Sequence, residues 1–190
     1  MNDTSKFIKK FLYKPQEIGS IAPSSNSLAL NLVNRSELST AKFIIELGVG
    51  SGSITRHVWH YMPEESRYLG IEKDKEFVMN NEDYFNKEII RDDANNLVDI
   101  CKERGNPDRI ISSLPWSYFS KDFQEKLLDD IVDSLSYDGI LTGYLYKPSF
   151  NVKAVNRFND MLKERFSELE KPSLVVRNLP PATIYKAKKR

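Results

Sequence analysis

From residue 42 onward, the chain alternates between short apolar runs and longer stretches in which apolar residues recur every three to four positions. The short runs are typical of buried strands, and the longer stretches are typical of amphipathic helices. The runs predict strands at 42–48, 67–73, 87–94, 108–114, 140–147, 173–180 and 182–189. The stretches between them predict a helix that ends near residue 62 and further helices at 74–85, 95–105, 121–139 and 153–166.

Strands that alternate with helices predict an α/β fold, with a mostly parallel sheet and helices on both of its faces. The last two predicted strands follow each other through Pro180-Pro181, with no helix between them. A link this short suits an antiparallel pair, so we expect an antiparallel strand at one edge of the sheet. A chain of 190 residues can bury one proper core. We therefore interpret residues 1–190 as a single domain with a seven-stranded sheet.

The first 40 residues have a different pattern. Residues 4–14 predict an amphipathic helix whose apolar face carries Phe7, Ile8, Phe11 and Leu12, with lysines around it. A loop rich in Gly, Pro and Ser follows, and residues 25–35 predict a second short amphipathic helix. We interpret residues 1–40 as an N-terminal helical extension and residues 41–190 as the core.

Charge and cysteine content exclude several classes of function. The formal net charge is +1, so no global field favours nucleic acid, although both ends of the chain are basic. Cys101 is the single cysteine, which leaves no internal disulfide and no cysteine-rich zinc site, and no metal-binding pattern is visible. Without a run of 18 apolar residues or a signal-peptide pattern, we expect an intracellular protein with no membrane-spanning helix.

A Gly-rich turn, ELGVGSGSIT at 46–55, joins the first predicted strand to the first helix of the core. Gly48, Gly50 and Gly52 let the backbone turn tightly and approach a ligand without Cβ clashes. The spacing departs from the dinucleotide pattern, because the third glycine comes one residue early. Glu46 ends the strand, where it would lie near an amino group rather than a phosphate. The turn therefore favours a ligand that carries an ammonium and a carboxylate.

Polar groups also end the next three strands. Glu72 ends the second strand, where a carboxylate can accept hydrogen bonds from both ribose hydroxyls. Asp93 ends the third strand, where it can accept from an adenine amino group while the next backbone N–H, of Ala94, reaches a ring nitrogen. The fourth strand ends in SSLPW at 112–116. Open α/β sheets bind ligands at the carboxyl ends of their strands, so we expect these positions to form one site.

The order of these motifs resembles the class I S-adenosylmethionine-dependent methyltransferases. It resembles more closely the bacterial phospholipid N-methyltransferases of the phosphatidylethanolamine N-methyltransferase type. The closer resemblance lies in FLYKPQEIGSIAPSS at 11–25, S-x-L-P-W at 112–116 and RNLPPATIYKAKKR at 177–190. With the Gly-rich turn, these stretches span nearly the whole chain. One departure is Val49-Gly50-Ser51, where a Pro and a Thr are commoner in the family, and both changes are small.

The resemblance implies a Rossmann-like class I methyltransferase fold, a catalytic core at 41–190 and S-adenosylmethionine as the cofactor. It implies a lid over the cofactor that includes Gly19 and Ser20. The residues implied to bind the cofactor are Gly19, Ser20, Glu46, Gly48, Gly50, Gly52, Glu72, Lys73, Asp93, Ala94, Ser112 and Leu114.

The implied reaction is in-line attack of a neutral amine on the sulfonium methyl group, with most of the rate coming from positioning. Aromatic faces hold methylated ammonium groups well. We therefore expect Trp116 and Tyr118 to act as catalytic residues near the accepting nitrogen, with Tyr144 and Tyr146 on the fifth strand as further rings. Packing in the core is the alternative explanation for each of these rings.

The implied substrate is the amine head group of an aminophospholipid or related aminolipid, phosphatidylethanolamine being converted toward phosphatidylcholine. Such an enzyme must dock on a bilayer, and the basic helix at 4–14 can do so on an anionic membrane surface. The alternative is that the apolar face of this helix packs on the domain. We expect a cytoplasmic protein that is peripherally associated with the membrane.

Three other functions stay open at this point. The S-L-P-W segment is similar to the N-L-P-Y of adenine N6-dimethyltransferases that act on rRNA, in which an aromatic ring stacks on a flipped base. Ser112 in place of Asn loses the amide for that role, and we expect no nucleic acid as a partner. A small soluble amine is a further possible substrate. A membrane-binding protein without catalysis is the third possibility, although the acidic and glycine positions of the cofactor site are intact.

Overall fold

The computed structural model describes residues 26–78, 88–147, 151–178 and 180–189. The strands in these ranges are β1 (Phe43–Leu47), β2 (Arg67–Glu72), β3 (Glu88–Arg91), β4 (Arg109–Ser112), β5 (Ile140–Tyr146), β6 (Glu168–Leu169), β7 (Ser173–Val175) and β8 (Ala182–Lys188). The α-helices in these ranges are α1 (Asn26–Arg35), α2 (Thr55–Tyr61), α3 (Leu97–Arg104), α4 (Lys121–Ser134) and α5 (Val152–Arg165). Residues 75–78 are helical as well and belong to the helix predicted at 74–85.

The eight strands of the described ranges form one sheet. Their order is β3-β2-β1-β4-β5-β8-β6, and β7 also pairs with β8. Strands β1 to β5 run parallel to one another, and β8 runs antiparallel to β5, β6 and β7. Because β1 lies beside both β2 and β4, the direction in which strands are added reverses between β1 and β4. Open α/β sheets bind ligands beyond the carboxyl ends of the strands at such a point.

The predicted fold class is confirmed, and the structure refines two details of the sheet. The antiparallel strand β8 does not lie at the edge, because β6 and β7 pair with its outer side. The strand predicted at 173–180 is shorter, and the additional two-residue strand β6 precedes it. Strands β6 and β7 pair with the same side of β8, each along a different part of its length.

The core lies on both faces of the sheet. On one face, α3, α4 and α5 cover apolar residues that include Ile45, Leu47 and Ile110. On the other face, α1 and α2 cover Ile44, Ile111 and their neighbours. All five residues of β1 are buried, which explains why its sequence is nearly continuous in apolar residues. Each fully buried large aliphatic side chain stabilises the fold by about 1.5–3 kcal/mol.

The helix predicted at 25–35 is present as α1, and it packs on the sheet. Leu28, Ala29 and Leu32 are fully buried against β5, β8 and α2. The predicted amphipathic helix at 4–14 and the lid lie outside the described residues. Among the residues that are described, no helix is long and apolar enough to cross a membrane.

Candidate active site

The carboxyl ends of β1, β2 and β4 lie side by side at the point where the strand order reverses. Leu47 of β1 pairs with Ile71 of β2 on one side and with Ser112 of β4 on the other. Glu72, which ends β2, pairs with Arg91 of β3. The register therefore brings the four predicted strand ends to one edge of the sheet, as the sequence predicts.

The Gly-rich turn after β1 adopts backbone conformations that require glycine. Gly48, Gly50 and Gly52 all have positive φ, at 82°, 53° and 72°. A Cβ at Gly48 would lie 3.1 Å from Cδ2 of Leu114, so the loop after β4 packs directly on this turn. A Cβ at Gly50 would meet no atom within 4 Å, so this part of the turn borders open space. The turn is thus held on one side and accessible on the other.

Glu46 is fully buried near the end of β1. Its Oε2 accepts hydrogen bonds from Oγ1 of Thr55 at 2.9 Å and from the hydroxyl of Tyr68 at 2.7 Å. Its Oε1 is also buried and has no hydrogen-bond partner among the described residues. Burial raises the pKa of Glu46 to about 7, against the two hydrogen bonds, which lower it, and with a smaller contribution from the charge of Glu72.

Glu72 ties the Gly-rich turn to the end of β2. Its side chain is buried, and Oε2 accepts from the backbone N–H of Gly50 at 2.9 Å. Its Oε1 accepts from the backbone N–H of Asp74 at 2.9 Å. Each carboxylate oxygen has a second lone pair, so both can still accept from a ligand hydroxyl. The predicted role in ribose binding fits this placement and stays a prediction.

Lys73 and Asp93 form an ion pair at the adjoining strand ends. The Lys73 Nζ lies 2.5 Å from Oδ2 of Asp93, and the other oxygen, Oδ1, accepts from the N–H of Asn95 at 3.1 Å. Burial alone would raise the pKa of Asp93, but the hydrogen bonds from Lys73 and Asn95 outweigh it, so the pKa is lowered. Ala94 is half-buried and begins a short 3-10 turn after this carboxylate. Each oxygen of Asp93 keeps a second lone pair, so Asp93 can still accept from an adenine amino group beside Lys73, whose side chain is 80% exposed.

Trp116 does not face an open site in this structure. Its side chain is fully buried, its ring lies 4.4 Å from that of Phe158, and its Nε1 donates to Oγ of Ser112 at 3.0 Å. The structure therefore does not present the face of this indole at an open site, and the predicted catalytic role of Trp116 stays a prediction. The indole instead fills the core beneath the loop, which is the alternative that the sequence left open. Ser112 is likewise buried and serves as its acceptor.

Tyr118 is the ring of this loop that fits the predicted role better. It lies at the end of the 3-10 turn at Trp116–Tyr118 and is half-buried. This partial burial raises the pKa of its hydroxyl, so the side chain is neutral at physiological pH. On the opposite face of the sheet, the rings of Tyr144 and Tyr146 at the end of β5 contact each other edge-to-face, 5.2 Å apart.

A buried polar network fixes the loop that carries Trp116 and Tyr118. The side chain of Gln124 in α4 is fully buried, and its Nε2 donates to the carbonyl of Trp116 at 2.5 Å. The Arg157 guanidinium of α5 donates to Oε1 of Gln124 at 2.7 Å and to the carbonyl of Phe119 at 3.3 Å. Two helices therefore hold the backbone on both sides of Tyr118.

Sequence reasoning missed several polar groups of this region. Thr55 and Tyr68 hold Glu46, and Gln124 and Arg157 hold the loop after β4. The hydroxyl of Ser113 is buried beside the Gly-rich turn and has no partner within the described part of the chain. Gln124 had a usable signal, since it is a polar residue on the apolar face of a predicted helix. Tyr68 had none, because an aromatic residue in a strand is ordinarily core.

The predicted site residues therefore fall into three groups. The structure brings together Glu46, Gly48, Gly50, Gly52, Glu72, Lys73, Asp93, Ala94, Ser112 and Leu114 at one edge of the sheet. Trp116 belongs to the core and Tyr118 to the loop surface. Gly19 and Ser20 lie outside the described residues.

No family model matches the chain. The ornithine lipid N-methyltransferase of Singulisphaera acidiphila is 28% identical over 191 residues, an alignment that covers 97% of this chain and 95% of that protein. The structure of N-methyltransferase NodS from Bradyrhizobium japonicum in complex with S-adenosylhomocysteine has a TM-score of 0.71 at 11% identity and covers 99% of each chain. O-methyltransferase TomG from Streptomyces achromogenes in complex with S-adenosylmethionine has a TM-score of 0.71 at 14% identity, covering 100% of this chain and 91% of the other.

These likenesses confirm the predicted Rossmann-like class I methyltransferase fold and the resemblance to lipid N-methyltransferases. They span nearly the whole length of the chain and of the proteins compared. The two solved structures hold S-adenosylhomocysteine and S-adenosylmethionine. Open α/β sheets bind ligands at the carboxyl ends of their strands, which is the edge where the residues described above lie.

Proposed function

We propose that this chain is an S-adenosylmethionine-dependent N-methyltransferase that acts on the amine head group of an aminolipid. The observation that carries the proposal is the agreement between two independent findings. The relative of similar length has ornithine lipid as its substrate. The strand ends of this chain present carboxylates and a glycine turn where the strand order reverses, which is where open α/β sheets bind ligands.

The residues present fit S-adenosylmethionine. The unpartnered Oε1 of Glu46 is an acceptor suited to an ammonium group. The turn at Gly50 leaves open space for a ligand, and Glu72 and Asp93 offer carboxylates at the next two strand ends. When bound, this cofactor supplies a methyl group on a positively charged sulfur. The described part of the chain holds no cluster of acidic, histidine and cysteine side chains suited to a metal ion.

The chain's own residues contribute mainly position and surroundings to the reaction. The Gln124 and Arg157 network fixes the loop after β4, so that Tyr118 is held near the strand ends to which we assign the cofactor. A neutral phenol offers a ring face that stabilises the ammonium product of the transfer. The amine must be neutral to attack, and holding it in line with the methyl group accounts for most of the expected rate enhancement.

The substrate amine distinguishes the narrower proposals. The sequence resemblance implies phosphatidylethanolamine as the substrate lipid. The relative is named for ornithine lipid. Both present a primary amine on a membrane-embedded lipid, so we propose the shared class. Docking at an anionic bilayer through residues 4–14, as a cytoplasmic protein peripherally associated with the membrane, is part of this proposal.

The proposal is tested by the fate of a labelled methyl group. The protein is incubated with methyl-labelled S-adenosylmethionine and vesicles of phosphatidylethanolamine or ornithine lipid, and parallel reactions receive rRNA or small soluble amines. Label in the lipid extract of one vesicle reaction supports the proposal. Label that appears only in RNA or in a soluble amine contradicts it.

A further inference from the structure

A buried cluster around Glu46 joins β1, β2 and α2. Tyr68 reaches Glu46 from β2, and Thr55, the first residue of α2, reaches it from the helix. Both hydroxyls donate to the same carboxylate oxygen, Oε2. The other oxygen, Oε1, is buried without a partner among the residues described. The cluster therefore orients the carboxylate and leaves one of its buried oxygens without a donor among the described residues.

Gly70 creates the space through which Tyr68 reaches the carboxylate. Gly70 pairs directly with Glu46 across β1 and β2. A Cβ at Gly70 would lie 3.1 Å from the Tyr68 hydroxyl and 2.7 Å from Cγ2 of Val49. The ring of Trp59 packs edge-on against Tyr68, with centroids 5.5 Å apart. The phenol is thus confined to one orientation, in which its hydroxyl points at Glu46.

The surroundings of Glu46 contain little else that is charged. From β2, Tyr68 and Glu72 act on it, and Glu72 is a like charge. From α2, Thr55 is uncharged, and from β4 the residue paired with Glu46 is Ile111. No cation faces this carboxylate among the described residues. A fully buried carboxylate without a cation is costly to ionise, and its charge becomes favourable once a cation is bound.

We propose that Tyr68, assisted by Thr55, is a positioning residue that controls the charge of Glu46, so that cofactor binding is linked to the loss of a proton from Glu46. This inference rests on the proposed function, since it assigns the ammonium of the cofactor to Oε1. The proton leaves the carboxyl group for solvent as the ammonium arrives, and no other bond forms or breaks. In the protein without cofactor, burial keeps the pKa of Glu46 at about 7, which makes the linkage measurable near neutral pH.

The test measures protons released on binding of S-adenosylhomocysteine. Titration calorimetry at pH 6 and pH 7, in buffers of different ionisation enthalpy, gives the number of protons released. From a pKa of about 7, wild type is expected to release most of a proton at pH 6 and a smaller fraction at pH 7. 5′-Methylthioadenosine, which has the adenosine but no ammonium, is expected to bind without proton release.

The variants separate positioning from a merely structural role. Tyr68→Phe removes a hydrogen bond that favours the charged carboxylate, so the protons released at pH 7 rise toward one and the affinity at pH 7 falls. Thr55→Val is expected to act in the same direction, and Thr55→Ser to restore the wild-type value. Tyr137→Phe, on a side chain that is 78% exposed, is the matched control and leaves both quantities unchanged. A structural role alone would lower the melting temperature without moving the proton count.

The outcomes distinguish this inference from the proposed function. Binding of S-adenosylhomocysteine without proton release at pH 6 overturns the inference and leaves the proposed function standing. The same proton count at pH 7 in wild type and in folded Tyr68→Phe and Thr55→Val also overturns it. Absence of binding at every pH contradicts the proposed function itself, and the inference with it. Should Tyr68→Phe fail to fold, the Thr55 pair and the wild-type proton count decide the matter.

Discussion

The indole Nε1 of Trp116 donates a hydrogen bond to Oγ of Ser112 across 3.0 Å, with both side chains fully buried. This contact joins the end of β4 to the loop that follows it. It explains two features of the SSLPW segment together: a hydroxyl ends the strand, and a large ring follows the proline. The ring anchors the loop, and the loop presents Tyr118.

Ser112→Ala is expected to destabilise the protein because it leaves the indole N–H buried without an acceptor. The expected loss is about 1–3 kcal/mol in the free energy of unfolding. Denaturant unfolding of wild type and variant measures it. Ser117→Ala, in the same loop on a half-buried serine, is the matched control and is expected to change stability by less than about 0.5 kcal/mol. Equal stability of wild type and Ser112→Ala would show that another acceptor takes over.

Tyr118→Ala is expected to reduce methyl transfer to the aminolipid by roughly 3- to 30-fold, which is the range that loss of one cation–π contact allows. Tyr118→Phe keeps the ring face and is expected to retain most of the activity. The affinity for S-adenosylhomocysteine stays unchanged in both variants. Initial rates with lipid vesicles and calorimetry with S-adenosylhomocysteine measure these effects, with Tyr137→Ala at an exposed position as control. Full activity of Tyr118→Ala would show that this ring does not contribute to the site.

Glu72→Ala is expected to weaken cofactor binding by about 10- to 100-fold, because a carboxylate that accepts from the ligand and from Gly50 is lost. The Gly-rich turn loses its tie to β2 in the same variant. Calorimetry with S-adenosylhomocysteine measures the affinity. Glu65→Ala, an exposed glutamate after α2, is the control and keeps the wild-type affinity. Unchanged affinity in Glu72→Ala would mean that the ribose lies elsewhere.

Glu46→Gln is expected to stabilise the cofactor-free protein at alkaline pH. The pKa of Glu46 is about 7 in the folded protein and 4.5 when unperturbed. Between these values the folded state binds more protons than the unfolded state, so wild-type stability falls as the pH rises from about 4.5 to 7. Glutamine does not ionise, so the stability of the variant does not fall in this way. The variant should therefore match wild type near pH 4.5 and exceed it above pH 7 by at most about 3 kcal/mol.

Thermal melts across this pH range check the prediction for Glu46→Gln. Glu65→Gln, at an exposed position, supplies the control and should follow the wild-type curve at every pH. A stability difference between Glu46→Gln and wild type that does not depend on pH would show that the pKa of Glu46 is the same in the folded and unfolded states, which contradicts its raised pKa.

The sequence predicted the strands of the sheet well because buried strands have nearly continuous apolar sequences. The run at 42–48 corresponds to β1, in which all five residues are buried, and Gly105 ends α3 as predicted. The sequence did not predict that β6 and β7 pair with the outer side of β8, so that β8 is not an edge strand. The order of antiparallel neighbours depends on packing across the sheet rather than on periodicity.

The sequence predicted where the glycines and acidic residues of the site lie. It predicted the positions of the aromatic rings less well. Glycines with positive φ and carboxylates at strand ends have local causes that the sequence shows directly. The burial of Trp116 depends on Phe158, which is more than forty residues away in the chain. The pairing of Tyr68 with Glu46 depends on the register of β1 with β2 and on the space at Gly70. Contacts of this kind arise from tertiary structure and have no periodic signature.

The central claim, methylation of an aminolipid amine, is tested most directly by mass spectrometry of lipid products. The protein is incubated with S-adenosylmethionine and a total lipid extract, and fragmentation locates any added methyl group. The proposed function predicts methyl groups on the head-group nitrogen of an aminolipid with wild type, and a strongly reduced yield with Glu72→Ala. A complete reaction mixture in which no aminolipid gains a methyl group, while S-adenosylhomocysteine still binds the protein, would contradict it.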